Sequence, residues 1–459
     1  MSNQQVNAGT PSSTNEIWGH PKGLFFIVFT EAWERFSFYG MQALLVLYMA
    51  SYLFQPDAAG NVAGFGVFKG VMESVFGTLS VQALATQTFG LYVAFVYFSP
   101  VFGGYLGDRY LGRRLAVIIG GVLMAIGHFM MAFEPLFLFA LLALISGSGF
   151  LKGNLAAQVG DLYAKTDQRR DTAFSLYVMA INVGAFVAPL ICGTLGELYG
   201  WHYGFGAAGV GMIIGLIIYM TGSKTLPKEQ PRGSKEERPS LQPGDGTVII
   251  AIILMLGITA LYWTAQAQVW NTYPLWIKGR VDREIFDLVM PITWFQSLDS
   301  LAVLLLAPIV IWRWKRLSKR AAEPNDVMKI AIGCAVFALA NIWLSVGELQ
   351  AGTEQVALYW PVLFHFICAI GFLYIGPIAL SLTSRAAPAA VNAMMVGSYY
   401  LAIFVGGIAS GWLGRFYEIL PPYGFWMLHA AIVGTGAVLM LVLRGPLLKA
   451  MKLDRIEKA

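Results

Sequence analysis

Charged side chains are scarce in this sequence. Of its 459 residues, 12% are Asp, Glu, Lys or Arg, which is about half of the share usual in soluble domains, whereas 57% are hydrophobic. Charge-poor stretches of this length exclude a soluble enzyme, a nucleic-acid-binding domain and a disordered chain. The three cysteines lie in apolar runs without paired spacing, so the sequence indicates neither a disulfide framework nor a metal site.

The hydrophobic residues form runs that are long enough to cross a bilayer, which takes about 20 residues as a helix. The first 20 residues are polar and predict no signal peptide. The runs lack the period-two alternation of a membrane β-barrel. They predict twelve transmembrane helices, at about 24–53, 87–106, 115–133, 136–157, 172–193, 203–222, 247–272, 287–312, 326–347, 356–384, 390–418 and 423–443.

A hydrophilic segment rich in charge, proline and glycine separates the first six runs from the last six. Such a composition is typical of a solvated linker. The sequence therefore predicts an N-terminal six-helix bundle (1–222), a cytoplasmic linker (223–246) and a C-terminal six-helix bundle (247–459).

The basic residues predict the orientation in the membrane. With the N-terminus in the cytoplasm, 24 of the 31 Lys and Arg residues fall on the cytoplasmic side and five on the other, as the positive-inside rule requires. Both termini are thus expected to be cytoplasmic. The net charge of +5 follows from this bias and gives no reason to expect a nucleic-acid partner.

Two basic residues remain inside the spans, Arg35 in the first and Lys152 in the fourth. A charge at membrane depth is costly and persists when it is paired or faces a watery cavity. Glu31 and Glu34 lie on the same helix as Arg35, so the four groups can neutralise one another. One interpretation is a buried ion cluster that only ties two helices together. The other is a proton site beside a site for substrate charge, because a carboxylate that loses its cationic partner binds a proton more readily.

Single polar residues in the other spans are less specific signs of function than this ion cluster, with Asp299 as the exception. Asp299 is predicted to lie in mid-span, where an acid is functional by default, although polar neighbours leave open a merely hydrogen-bonded acid. His128, His365 and His429 stand alone in apolar runs and are predicted to be packed core residues.

The loop between the second and third spans, GGYLGDRYLGRR (103–114), resembles the loop motif of the major facilitator superfamily. It is a glycine-rich turn with a basic cluster, in which the Asp can cap a helix N-terminus and the arginines can hold the gating helices. The predicted gating residues are Gly104, Asp108, Arg109, Arg113 and Arg114.

Several further segments narrow the resemblance. HPKGLFFIVFTEAWERFSFYGM (20–41), GSGFLKGN (147–154) and FSLYVMAINVGAF (174–186) resemble motifs of the proton-dependent oligopeptide transporters, a family within that superfamily. The resemblance continues through the eighth, tenth and eleventh spans. It implies an all-α membrane protein with the major facilitator fold, twelve transmembrane helices in two six-helix bundles.

The resemblance also implies roles for individual residues. The family's proton-coupling motif falls on Glu31, Glu34 and Arg35, with Lys152 beside it. Positions that line the peptide pocket in the family fall on Arg35, Tyr39, Tyr97, Lys152 and Asn182 in the first half, and on Trp263 and Tyr399 in the second.

Other positions depart from the family pattern. Gln42 stands where a second Arg is usual, and Phe38 where a Tyr is usual. Gln266 and Ala267 replace the acids of the seventh helix, and Phe372 replaces the Glu of the tenth. Asp299 stands where the eighth helix usually has Asn, and we expect it to return one negative charge to the pocket wall.

The resemblance thus implies a proton-coupled importer of di- and tripeptides or peptide-like substrates, with an altered preference at the amino end of the substrate. It implies a monomer in the cell (inner) membrane that needs no cofactor beyond the proton gradient. Two alternatives stay open: a proton-coupled carrier or exporter of a non-peptide organic anion, and a nutrient sensor that does not transport. No nucleophile–base pair, phosphate loop or metal-ligand set indicates an enzyme.

Overall fold

The computed structural model describes residues 16–164, 166–227 and 240–453. Within these ranges, twelve helices are long and apolar enough to cross a membrane. They are α1 (Lys22–Leu53), α2 (Val81–Leu111), α3 (Arg113–Met130), α4 (Glu134–Asp161), α5 (Arg169–Tyr199), α6 (Trp201–Thr225), α7 (Asp245–Val269), α8 (Trp294–Ser318), α9 (Asp326–Ala351), α10 (Tyr359–Ala386), α11 (Asn392–Tyr417) and α12 (Pro422–Ala450).

The second helix begins six residues before its predicted start. The Ser80 hydroxyl accepts a hydrogen bond from the Ala83 N–H, 3.0 Å away, and so caps the helix. The first turns of this helix contain polar residues, which is why hydropathy placed its start too late. In the structure these residues form hydrogen bonds. Gln82 donates to the carbonyl of Gly414, and Thr86 donates to the carbonyl of Gln82.

The eighth helix begins at Trp294, seven residues after its predicted start. The residues before it form an antiparallel hairpin of β3 (Glu284–Ile285) and β4 (Leu288–Val289). A separate hairpin of β1 (Glu16–Ile17) and β2 (His20–Pro21) precedes α1. Phe286 and Asp287 turn the hairpin with φ of 48° and 64°. Asp299 therefore lies five residues from the start of α8, so its predicted place in mid-span was wrong.

Besides the four-residue helix Pro56–Ala59, two further helices that the spans did not predict lie between spanning helices. Phe65–Phe76 connects α1 to α2, and Thr272–Arg280 connects α7 to α8. Because the spanning helices alternate in direction, both of these segments lie on one face, which we name the distal face. The opposite face, which we name the terminal face, carries the starts of α1 and α7 and the end of α12.

The helices pack mainly within their own half of the chain. In the first half, α1 contacts α5 and α6, and α4 contacts α2 and α3; in the second, α7 contacts α11 and α12, and α10 contacts α8 and α9. The two halves meet along α2 with α11 and α5 with α8. The predicted boundaries at 222 and 246 stay a prediction, and residues 1–15, 165, 228–239 and 454–459 lie outside the described ranges.

Hydrogen bonds between the two halves, as far as the chain is described, gather at the distal face. They join Ser51 to Lys278, Phe76 to Arg415, Ser80 to Glu418, Gln82 to Gly414, Thr86 to Asn271, Thr194 to Trp294, and Glu197 to Ile292 and Thr293. The structure is thus fastened across its halves at the distal side.

Candidate functional site

An ion cluster lies inside α1. The Arg35 guanidinium nitrogen Nε is 2.7 Å from Glu31 Oε1 and 2.6 Å from Glu34 Oε2. Both glutamates are 0% exposed and Arg35 is 7% exposed. At 1.5 Å per residue, Arg35 lies about 20 Å along the helix from Lys22, well inside the bilayer. One buried cation therefore holds two buried carboxylates, as the spacing along α1 predicted.

The fifth helix supplies a partner that the sequence analysis did not single out. The Tyr177 hydroxyl donates a hydrogen bond of 2.6 Å to Glu31 Oε2. The approach of α5 depends on Gly184, where an added Cβ would lie 2.4 Å from the carbonyl oxygen of Ala32. Tyr177 and Gly184 both lie in the segment 174–186 that carried the family resemblance, which is the signal that pointed to this helix.

Lys152 does not join the carboxylates of the cluster. Its ammonium is buried and forms no hydrogen bond or ion pair with any described residue. It lies 3.8 Å from the ring centroid of Phe38 and 5.1 Å from that of Tyr97. The predicted pairing of Lys152 with Glu31 and Glu34 was therefore wrong, because aromatic rings occupy the space around the ammonium.

Phe38 lies between the two cations of the site. Its ring centroid is also 5.7 Å from the guanidinium carbon of Arg35. The negative face of an aromatic ring attracts cations, so the Phe38 ring is a favourable neighbour of both Arg35 and Lys152.

Aromatic side chains from the second half form the opposite wall. The Trp263 ring lies 6.5 Å from that of Phe372 and 6.1 Å from that of Tyr399, both edge-on. The Trp263 indole N–H is buried without a hydrogen-bond partner. Across the halves, Tyr97 stacks with Tyr400 at 6.5 Å. The wall that usually carries an acid on the tenth helix is here aromatic.

The other predicted pocket residues have diverse partners. The Asn182 amide donates to the carbonyl of Val178 in its own helix. Gln266 Oε1 accepts a hydrogen bond of 3.2 Å from Tyr262. The remaining two lie on α1: the Tyr39 ring packs 5.1 Å from Trp270, and Gln42 Oε1 is buried without a hydrogen-bond partner. The distances establish no common ligand for these residues, and their role in binding stays a prediction.

Asp299 has a partner that the sequence analysis placed among packed core residues. Its carboxylate oxygen Oδ1 lies 3.7 Å from His365 Nδ1. The His365 side chain is 0% exposed, whereas the Asp299 side chain is 19% exposed. The tenth and eighth helices therefore bring an acid and an imidazole together in the second half.

The loop motif 103–114 was predicted between two helices, but it forms the last turns of α2 and the start of α3, where ion pairs hold it. Arg113 binds Asp108 at 2.9 Å and Asp161 at 2.6 Å, so it joins the loop to the end of α4. Asp108 makes no helix cap, since α3 begins at Arg113 with Gly112 at its N-cap and no side-chain cap, and the expected capping role was wrong. Asp161 was not identified in the sequence.

The remaining loop residues have separate contacts. Arg114 donates to the carbonyls of Leu226 and Pro227, 2.6 Å from each. Arg109 donates to the Tyr105 hydroxyl. Gly104 borders open space, because an added Cβ would meet nothing within 4 Å.

These contacts describe a buried charge site in the first half, facing a mostly aromatic wall in the second. In the described part of the chain, no group of three or more metal-ligating side chains occurs. The POT family model matches residues 114–240 and 245–418, which is more than half of the sequence. The chain belongs to the POT family.

Curated relatives agree with this membership over nearly the full length. The uncharacterized transporter YclF of Bacillus subtilis (strain 168) is 30% identical, over 94% of this chain and 94% of that protein. The peptide transporter YePEPT of Yersinia enterocolitica is 28% identical, over 96% of this chain and 97% of its own length.

Solved structures of the family share the fold. A peptide transporter crystallised with sulfate superimposes with a TM-score of 0.83 at 28% identity, covering 95% of this chain and 97% of that one. A POT family transporter in complex with 5-aminolevulinic acid gives a TM-score of 0.81 at 25% identity, covering 94% and 98%. The prediction of an all-α, twelve-helix membrane protein of the major facilitator type is confirmed, and the chain is a multi-pass membrane transporter, not an enzyme.

Proposed function

We propose that this POT family transporter is a proton-coupled symporter that imports di- and tripeptides or peptide-like molecules by alternating access. Curated relatives named as peptide transporters support the substrate class. The bias of basic residues supports an orientation in the cell (inner) membrane with the terminal face, and both termini, in the cytoplasm. The fastened distal face then faces outward.

The observation that carries the proposal is the Lys152 ammonium, which is buried at membrane depth and forms no hydrogen bond or ion pair with a carboxylate of the described residues. An unpaired buried cation is costly unless a ligand completes it. The carboxylate of a peptide supplies that charge, with Arg35 as a second cation 5.7 Å from the shared Phe38 ring. The lack of an ion-pair partner for Lys152 thus supports a binding site for the substrate carboxylate.

Proton coupling follows from the sharing of Arg35. The guanidinium binds Glu31 and Glu34 together. When a substrate carboxylate attracts Arg35, the glutamates lose part of their compensating charge and one of them gains affinity for a proton. Binding of substrate and binding of a proton therefore favour each other at this cluster.

The altered preference at the amino end follows from the neutral wall. Gln266, Ala267 and Phe372 carry no negative charge for an ammonium group, and Trp263 and Phe372 meet edge-on in their place. Asp299 is then the acid of the second half to which the amine can bind. A substrate without a free amino group is expected to be tolerated better than in relatives with those acids.

Uptake into proteoliposomes with an imposed proton gradient tests the proposal. We expect Glu34→Gln or Lys152→Ala to abolish proton-driven uptake of a labelled dipeptide, while exchange of labelled for unlabelled peptide survives in at least one of them. Lys69→Ala is the matched control, because Lys69 lies in the segment between α1 and α2 and pairs with Glu73. Full proton-driven uptake by both site variants would reduce the cluster to a structural tie.

The second candidate is a proton-coupled carrier or exporter of a non-peptide organic anion. The neutral residues at 266, 267 and 372 favour it, since a simple anion needs no acidic wall. Competition of labelled dipeptide uptake by unlabelled peptides or by simple organic acids distinguishes the two. Absence of any flux in the same liposomes supports a sensor instead.

A further inference from the structure

We propose that His365 is a proton-binding counter-ion of Asp299 that competes with the amino group of the substrate. This inference rests on the proposed function, because it assigns the amine to the second half of the same pocket. His365 acts through Asp299 and is a specificity-determining residue of the transport reaction.

The geometry places Asp299 between two environments. On one side, Nδ1 of the fully buried His365 lies 3.7 Å from the carboxylate; the other side leaves 19% of the Asp299 side chain exposed. No hydrogen bond joins Asp299 to any residue that the structure describes. The carboxylate is thus open to one cation from the accessible side and backed by an imidazole from the buried side.

The surroundings of His365 leave it without another partner. Neither ring nitrogen makes a hydrogen bond within the described chain, which is costly for a buried polar group. The rings of Tyr273 and Phe364 pack 5.2 Å and 5.4 Å away. A proton on the imidazole gains an attractive partner only in Asp299.

Among the described residues, Asp299 is the charged group within ion-pair distance of His365. Tyr262 of α7, Tyr273 of the segment before α8 and Cys368 of α10 are the titratable neighbours of Asp299 in these elements, and phenols and thiols are neutral at pH 6. Tyr39 of α1 is another such phenol. On α9, Glu348 is bound to Arg280. Asp299 therefore governs the charge of His365.

The exchange is balanced in protons. With a proton on His365, the imidazolium and the Asp299 carboxylate form a neutral pair. When a substrate ammonium binds Asp299, the carboxylate is compensated from the accessible side, and the proton leaves the imidazole for water. Each free-amine peptide bound in this way releases one proton, which is opposite in sign to the uptake at the Glu31–Glu34–Arg35 cluster.

Two peptides that differ only at the amino end allow the contribution of Asp299 and His365 to binding to be measured apart from that of the other pocket residues. Alanyl-alanine presents an ammonium, and N-acetyl-alanyl-alanine does not. The ratio of their dissociation constants cancels the pH dependence of the carboxylate side, which both peptides share. We measure equilibrium binding of both to the full chain in nanodiscs between about pH 5.5 and about 7, the range in which histidines change charge and peptide amines stay mostly charged.

For the unaltered protein, we expect the affinity for alanyl-alanine relative to its N-acetyl form to rise with pH, by up to about tenfold per pH unit, the limit for release of one proton per ligand. His365→Asn is expected to make the ratio independent of pH, and His365→Gln to do the same. Asp299→Asn is expected to remove the preference for the free amine at every pH.

His128→Asn is the matched control, because His128 is also fully buried with neither ring nitrogen hydrogen-bonded but lies on α3. It is expected to retain the pH-dependent ratio. A pH-independent ratio in the unaltered protein, or an unchanged dependence in His365→Asn, overturns the inference while binding of both peptides leaves the proposed function standing. Binding of neither peptide overturns both.

Discussion

At the scale of single residues, the site combines charges that the sequence reveals with neighbours that it hides. Glu31, Glu34 and Arg35 were predictable, because their spacing along one helix decides their contacts. Tyr177 and His365 were not, since their partners lie 146 and 66 positions away in the chain, and only the packing of different helices brings them together. Counting charges also suggested that Lys152 pairs with Glu31 and Glu34, whereas its ammonium lies against the rings of Phe38 and Tyr97.

Tyr177 is expected to contribute to stability through its hydrogen bond to Glu31. Tyr177→Phe leaves a buried carboxylate oxygen without its donor, at a cost of about 1–3 kcal/mol. We expect the thermal unfolding midpoint in detergent to fall, measured by intrinsic fluorescence. Tyr105→Phe is the control, because the Tyr105 hydroxyl meets Arg109 at an exposed position. An equal midpoint for the two variants would show that water replaces the phenol at no cost.

At the scale of elements, the start of α8 has the largest consequence. The hydropathy of the sequence predicted that α8 includes Leu288 and Val289. Both residues instead belong to an exposed hairpin, and the positive φ angles at the turn of that hairpin are incompatible with a helix. The true start at Trp294 places the backbone N–H groups of Ile292 and Thr293 opposite the end of α5. Such helix starts bind anions.

Glu197 of α5 occupies that helix start. Its carboxylate accepts hydrogen bonds of 2.8 Å from the N–H groups of Ile292 and Thr293 and from the Thr293 hydroxyl. An added Cβ at Gly193 would lie 1.9 Å from the same hydroxyl, so the two helices approach as closely as glycine allows. Glu197 thereby fastens the two halves at the distal face.

Loss of this carboxylate is expected to open the distal face more often. In Glu197→Ala, a cysteine placed at Gln42 should react several-fold faster with a membrane-impermeant maleimide than in the parent, with the three native cysteines replaced by alanine in both. Glu134→Ala is the control, since Glu134 accepts hydrogen bonds from Tyr52 and Asn61 of its own half. Equal reaction rates in both variants would contradict a fastening role for Glu197.

At the scale of the whole molecule, twelve helices were predictable because burial in lipid demands long apolar runs. The helices Phe65–Phe76 and Thr272–Arg280 were not, since they are too short for that signal. The meeting of α2 with α11 was equally invisible. There, an added Cβ at Gly90 would lie 2.5 Å from the carbonyl oxygen of Gly407 and 2.7 Å from the Cα of Gly411.

A methyl group at this meeting is expected to disturb the contact between the halves. Gly90→Ala should lower the initial rate of uptake several-fold, because backbone atoms of the opposite helix cannot yield as a side chain can. Gly397→Ala on α11 is the control, since its Cβ would meet nothing within 4 Å. Uptake by Gly90→Ala at the rate of the control, at equal protein per liposome, would show that the halves shift freely there.

The backbone contact at Gly90 also divides α2 into two parts of unequal length, and it is a natural pivot for the helix. Nine residues separate it from Val81 and sixteen from Leu106, where the regular α-helical part of α2 ends before the last turn to Leu111. These lengths correspond to about 14 Å and about 24 Å at 1.5 Å per residue. A rocking motion about this point moves the terminal end of α2 almost twice as far as the distal end. A small displacement at the distal face, near Glu197, thus corresponds to a larger displacement at the terminal face.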